Sequence, residues 1–305
     1  MAEAERESGD MQREGWLAHR AGAERLRYVQ VLGERASGTN YLSYLLAHNT
    51  DLTPVSVVDW KHAVPSAILL PHSLLLAVSV RSPLDWVRSM HGRPWHAAPH
   101  LHGLTLREFA TSEWAGTIDE MLITPFLVTV RVQRSGGGRM ARLMTRITGR
   151  TPTSQLRRAL RARSDRLIGL PLQHDLHPIE GRRYRNLLEM RAVKHRAWLG
   201  LRNRSVNVLF VRHEVLRADP GGVLAAALAP FGIALRPELS LPDRHLGGMP
   251  SWLRAAKGGG SAEAAPPTAP DEAELAAILA PHLDADLERS LGYGEAAPDL
   301  GEVAT

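Results

Sequence analysis

Cysteine is absent from all 305 residues. That excludes a disulfide framework, a zinc–thiolate centre and a thiol nucleophile. Lysine is nearly absent too: Lys61, Lys194 and Lys257 are the only ones, so the basic side chains are almost wholly arginine. No apolar run reaches the roughly 18–20 residues of a membrane span. The opening Met-Ala-Glu-Ala-Glu-Arg-Glu is acidic and lacks the apolar stretch of a signal peptide. The cytoplasm is therefore the expected compartment. No internal repeat is visible. A formal charge of +5 and a pI near 9.9 could suggest a nucleic-acid partner. However, the arginines are spread through the chain and are densest from Arg131 to Arg166. Such a balance suits a small anionic ligand equally well and says nothing about fold. A solvated arginine-rich surface is the plainer account of many of them, and no nucleic-acid partner is expected.

What the chain does contain is one organising stretch, Tyr28-Val-Gln-Val-Leu-Gly-Glu-Arg-Ala-Ser-Gly-Thr-Asn-Tyr-Leu42. An apolar run leads into Gly33, a polar turn, Gly38 and then an apolar-periodic segment: strand, tight loop, helix. A helix N-terminus facing such a loop favours an anion there. The glycines are five apart, as in the phosphate loop G-x-x-x-x-G-K-[ST]. Here Thr39-Asn40 follows the second glycine, so the usual lysine and magnesium hydroxyl are missing from their places.

Further strands are expected at Val55–Trp60, Leu74–Val80 and Val206–Val211, with helices at about Gly38–Ala47, Leu84–His91, Arg183–Leu201 and Gly222–Phe231. The run Leu74-Leu-Leu-Ala-Val-Ser-Val80 is apolar but for Ser79, as in a strand buried on both faces of a parallel sheet. Alternation of strands and helices gives an α/β fold with a central parallel sheet flanked by helices. In such sheets ligands bind beyond the carboxyl ends of the strands, which here are the Gly33 loop, Lys61-His62 and Arg81. The chain divides into an N-terminal surface segment of weak helical character (1–25), an α/β domain (26–254) and a flexible linker (255–270). A C-terminal helix, about Glu272–Leu291, and a tail complete it (271–305). The α/β domain carries a largely helical insertion, about 92–180, where acceptor choice would reside.

Three segments occur in order: Arg35-Ala-Ser-Gly-Thr-Asn-Tyr-Leu42, Arg81-Ser-Pro-Leu-Asp-Trp-Val-Arg-Ser89 and Val208-Leu-Phe-Val-Arg-His-Glu-Val-Leu216-Arg-Ala-Asp-Pro220. Together they resemble the sulfotransferases that use 3′-phosphoadenosine 5′-phosphosulfate (PAPS), over about residues 28–92 and 184–232. The resemblance implies the sulfotransferase form of the P-loop nucleoside-triphosphate-hydrolase-like fold. It also implies transfer of a sulfuryl group to a hydroxyl or amine of a small-molecule, sugar or lipid acceptor, leaving 3′-phosphoadenosine 5′-phosphate (PAP).

In that family a basic residue directly precedes Ser-Gly-Thr. Here that position is Ala36, and Arg35 is the nearest base. By the same resemblance the 5′-phosphosulfate lies on Arg35, Ala36, Ser37, Gly38, Thr39 and Asn40, with Tyr41 near the adenine or, equally, in the core. Arg81 and Ser89 are similar to the 3′-phosphate pair, and His213 approaches the nucleotide. Arg81 could instead cap a carbonyl or pair with Asp85. His62 is the candidate base, and Lys61 and Arg35 are the cations that offset charge on the leaving oxygen. Glu214 is expected to order the sheet edge by hydrogen bonds. Arg191, Lys194 and His195 could face the acceptor, but a solvated helix face is the expectation for them. The histidines at 91–102 match no compact zinc spacing, and no metal is expected. Two other readings stay open: an ATP-dependent kinase-like enzyme with an unusual loop, and a non-catalytic nucleotide-binding module on the same fold.

Overall fold

The computed structural model describes residues 6–58, 60–65, 70–117, 174–204, 206–243 and 271–294. The expected linker 255–270 and the stretch 118–173 of the expected insertion lie outside the described residues.

The chain divides into two compact units. One carries a six-stranded sheet built from β1 (Arg6–Asp10), β2 (Trp16–Arg20), β3 (Tyr28–Gly33), β4 (Thr53–Pro54), β5 (Leu74–Val80) and β8 (Asn207–Arg212), in the order β1-β2-β8-β5-β3-β4. β8, β5, β3 and β4 run parallel, as expected, and β1 and β2 are antiparallel additions at the β8 edge. In the other unit a short antiparallel pair is described, β6 (Gly116–Thr117) with β7 (His174–Asp175).

Two-residue periodicity explains how the sheet buries both faces. Val29 and Val31 of β3, Leu75 and Ala77 of β5, and Leu209 and Val211 of β8 pack into one core. Leu32, Leu74, Leu76, Val78, Val80, Val208 and Phe210 pack into the core on the other face. All seven residues of β5 are buried. Each such Leu or Val contributes roughly 1.5–3 kcal/mol by leaving water. The first face is covered by α1 (Thr39–Asn49) and α6 (Pro220–Leu228). A third core joins α2 (Pro83–His91), α3 (Leu106–Thr111), α4 (Leu187–Leu199) and α7 (Glu272–Leu279). α5 (His213–Ala218) and α8 (Ala285–Ser290) complete the helices used below.

Three expectations are corrected here. Residues 6–20 form a β-hairpin rather than a surface segment of weak helical character. Asp10 organises its turn, accepting from Gln12 N at 2.7 Å and Arg13 N at 3.0 Å, while Trp16 and Ala18 go into the core. The period-two signal spans only five residues and is diluted by charge. No strand forms at the described residues of Val55–Trp60, and the strand lies just before them at Thr53–Pro54, because a buried side chain replaces the ladder. Gln30 Oε1 accepts from Val57 N and Val58 N, both at 2.8 Å, and its Nε2 donates to the Val58 carbonyl. The expected single helix Glu272–Leu291 is two, α7 and α8. Pro281 lies in a 3₁₀ turn between them, where a proline cannot continue an α-helix.

Candidate functional site

β3, β5 and β8 end at one edge, and each turns there into a helix: β3 through the Gly33–Gly38 loop into α1, β5 at Arg81-Ser82 into α2, and β8 at Arg212 into α5. In α3, α4, α6, α7 and α8 a first-turn backbone N–H donates to the side chain of the helix's own N-cap, Thr105, Asn186, Asp219, Asp271 or Asp284. The three helices that start at the shared edge have no side-chain cap. The Ser82 amide of α2 is instead met by Glu214 Oε1, at 2.7 Å. Glu214 thus orders the edge as the sequence suggested.

The loop is turned by three residues with positive φ: Gly33 (144°), Ala36 (61°) and Gly38 (88°). A Cβ on Gly38 would stand 2.1 Å from His213 Nδ1, so only glycine lets His213 lie against the loop. Four consecutive loop carbonyls each accept from a side chain. The Glu34 carbonyl takes Ser37 Oγ (2.7 Å), that of Arg35 takes Trp86 Nε1 (2.7 Å), that of Ala36 takes Arg81 Nη1 (3.0 Å), and that of Ser37 takes Ser79 Oγ (2.5 Å). Because the peptide unit is planar and trans, tying down each carbonyl turns the following N–H the opposite way. Ser37 N spends its hydrogen on the Glu34 carbonyl at 3.2 Å. The N–H groups of Arg35, Ala36 and Gly38 face away from these anchors, an arrangement suited to an anion.

Lys61-His62 straddles the start of the loop. Gly33 N donates to the Lys61 carbonyl at 3.0 Å, and His62 Nδ1 donates to the Gly33 carbonyl at 2.5 Å. A carbonyl can only accept, so Nδ1 carries the proton and Nε2 holds the lone pair. Burial, then the charges of Arg35 and Lys61, hold the His62 pKa well below its ordinary value. Lys61 Nζ donates to Asn40 Oδ1 at 2.9 Å. Arg35 lies 4.7 Å above the Trp60 ring, and Lys194 Nζ lies 5.6 Å from the same ring.

The remaining candidates are placed as follows. Arg81 does cap a carbonyl, but that carbonyl belongs to Ala36 in the loop, and its Nε is buried with no partner among the described residues. Asp85 lies 3.9 Å from Arg88 rather than pairing with Arg81. Ser89 sits half-buried on α2, and no described contact joins it to the loop. Thr39 is buried at the start of α1, and Asn40 is exposed. Tyr41 is half-buried against the core and meets His213 edge-on, with ring centres 6.1 Å apart. Burial, then the Arg81 charge, lowers the His213 pKa to about 4. Of the histidines expected not to form a metal site, His91, His100 and His102 hydrogen-bond backbone carbonyls.

The expectation of a solvated face at Arg191, Lys194 and His195 is overturned, since each is 1% exposed. Lys194 Nζ lies 3.8 Å from Glu34 Oε2, inside the loop. Arg191 donates to Glu288 and to the Arg81 carbonyl. A signal for this was present in the sequence. Positions 187, 191, 194 and 198 share one helical stripe, and its other members, Leu187 and Trp198, are apolar. Polar residues on an apolar stripe mark a buried polar contact. A separate cleft of about 520 Å³, lined by Arg27, Asp51, Thr53, Phe231 and Ile233 among others, opens where β3 and β4 begin and holds none of the candidate residues.

No family model, no curated protein and no solved structure matches the chain. Its class therefore rests on its own architecture: an α/β protein with a mixed, mostly parallel six-stranded sheet flanked by helices. Among the described residues no helix is long and apolar enough to cross a membrane.

Proposed function

We propose that the chain is a sulfuryl transferase that draws on PAPS, with the P-loop-like sheet edge as its nucleotide site. The observation that carries this reading is the run of four tied carbonyls from Glu34 to Ser37, which supports an anion-binding loop with no lysine after its second glycine. The residues present fit such a donor. Arg35, Lys61 and Lys194 lie close enough to act together on His62, Arg81 has a buried unpartnered Nε beside the loop among the described residues, and the α1 N-terminus is uncapped. When bound, the donor supplies the sulfuryl group and leaves as PAP.

The loop amides hold the 5′-phosphosulfate, and Arg81, with Ser89 on α2, serves the 3′-phosphate. His62 is neutral at physiological pH, and its Nε2 takes the proton of the acceptor hydroxyl or amine, a role worth typically 10²–10⁴ in rate. Lys61 and Arg35 offset negative charge at the loop, so positioning and fixed electrostatics do most of the work. The acceptor is a small molecule, sugar or lipid, and the reaction takes place in the cytoplasm.

Calorimetry and thermal shift with PAP, ADP and ATP, each with and without magnesium, test this reading. A stabilisation selective for PAP and indifferent to magnesium is expected. Stabilisation by ATP with magnesium alone would replace the reading with a kinase-like enzyme. PAP binding without turnover across an acceptor screen would make the chain a nucleotide-binding module.

A further inference from the structure

The C-terminal segment, which the sequence motifs leave without a role, is tied to the backbone of Arg81 and Ser82 by two separate polar chains. In the first, Arg191 of α4 donates Nε to Glu288 Oε1 at 2.6 Å and Nη2 to Glu288 Oε2 at 2.8 Å. The same Nη2 donates to the Arg81 carbonyl at 3.0 Å. In the second, Tyr293 donates its hydroxyl to Glu214 Oε2 at 2.9 Å, while Glu214 Oε1 accepts from Ser82 N at 2.7 Å. Arg191 is 1% exposed and Glu288 4%, so water does not compete for either partner. Next to Tyr293, Gly292 has φ of 82°, and a Cβ there would meet the Met11 carbonyl at 2.3 Å. That close approach holds the segment down beside Arg212, which lies 4.6 Å over the Tyr293 ring.

These bonds grip the Arg81 carbonyl and the Ser82 amide, the acceptor and donor of the single peptide unit where β5 hands over to α2. The Arg81 side chain leaves from the same point to reach the Ala36 carbonyl in the loop. A buried ion pair rarely stabilises more than apolar side chains of the same volume, so its retention asks for another reason. Orientation of a neighbouring functional group is such a reason. We infer that the segment Asp284–Tyr293 positions Arg81, making Glu288 and Tyr293 residues that set the affinity of the strand edge for an anionic nucleotide without touching it. This rests on the proposed nucleotide site.

Replacing Glu288 alone leaves the Arg191 charge buried and risks the fold. The test therefore uses Tyr293→Phe and the apolar pair Arg191→Met/Glu288→Met. Two quantities are measured: PAP affinity by calorimetry, and amide exchange by mass spectrometry over residues 79–90. Expected is a loss of affinity of about fivefold for Tyr293→Phe, less than the full worth of a hydrogen bond to a carboxylate because the effect reaches the nucleotide only through Arg81. The apolar pair should lose about tenfold or more, and both variants should exchange faster over 79–90. In an Arg81→Ala background, Tyr293→Phe should cost nothing further, because residues acting through a shared group are not additive. A loss that adds in full to that of Arg81→Ala, or folded variants with unchanged PAP affinity, would overturn the inference and leave the nucleotide site standing. If the unmodified protein fails to bind PAP, the proposed function falls. The exchange measurement then decides alone: unchanged protection over 79–90 in both variants removes the positioning role, and faster exchange sustains it.

Discussion

Acidification from about pH 7.5 to about pH 5.5 should destabilise this protein steeply, because three histidines are held neutral by the fold. His213 titrates at about 4 in the folded chain, through burial and then the Arg81 charge, against about 6.5 when unfolded. The folded pKa is the lower one, so unfolding takes up a proton below pH 6.5. The stabilisation is complete above about 6.5 and is lost as pH falls toward 4. At pH 5.5 the loss from one such histidine is about 1.4 kcal/mol. His62 and His195 are buried, with pKa values driven well below the ordinary one, first by burial and then by Arg35 and Arg191 respectively. Each shifts stability in the same direction by up to the same amount, for a ceiling of about 4 kcal/mol, a large part of the 5–15 kcal/mol that holds a typical domain together. Glu189, pulled to about 2 chiefly by its hydrogen bond from Arg182, gives up its contribution only below the ordinary glutamate range, outside this window. Urea melts at several pH values measure the slope, and His213→Gln should remove about a third of it. A stability flat between pH 7.5 and 5.5, or a slope indifferent to His213→Gln, would refute the reasoning.

Gly38→Ala should cost about 2 kcal/mol or more, since a left-handed alanine alone costs roughly 1–2 kcal/mol and its Cβ would collide with His213. Thermal melts should show a smaller cost in a His213→Ala background; an equal cost would mean that the contact does not matter. Glu34→Gln removes the carboxylate beside the buried Lys194 and should cost about 3–5 kcal/mol. Glu34→Gln combined with Lys194→Met should recover much of that in denaturant melts, and strictly additive losses would show that the two side chains do not interact.

The parallel centre of the sheet and the loop at its edge were legible in the order of residues alone. The runs at 74–80 and 206–211, apolar but for Ser79 and Asn207, have no stable place except between two covered faces. Two glycines five apart after a strand leave the chain little choice but a tight turn into a helix. The adjacency of Arg81 to the loop follows from β3 and β5 pairing in parallel. What reinforces that edge emerges only when the chain is folded. The β-hairpin at 6–20 and the Gln30 bridge depend on partners far along the chain, which local periodicity cannot register. Lys194 reaches Glu34, Arg191 reaches Glu288, and Tyr293 reaches Glu214 across separations of 79 to 160 residues. Arg191 and Lys194 share an apolar stripe that marks burial without naming a partner, whereas Glu34, Glu214, Glu288 and Tyr293 look solvated when judged by their own segments. Glu34, Arg191, Lys194 and Glu288 are buried because the cores around them exclude water from a helix face that must also carry charge. Burial makes a lone charge so costly that each cation has to find its carboxylate, and packing alone determines which carboxylate is near enough.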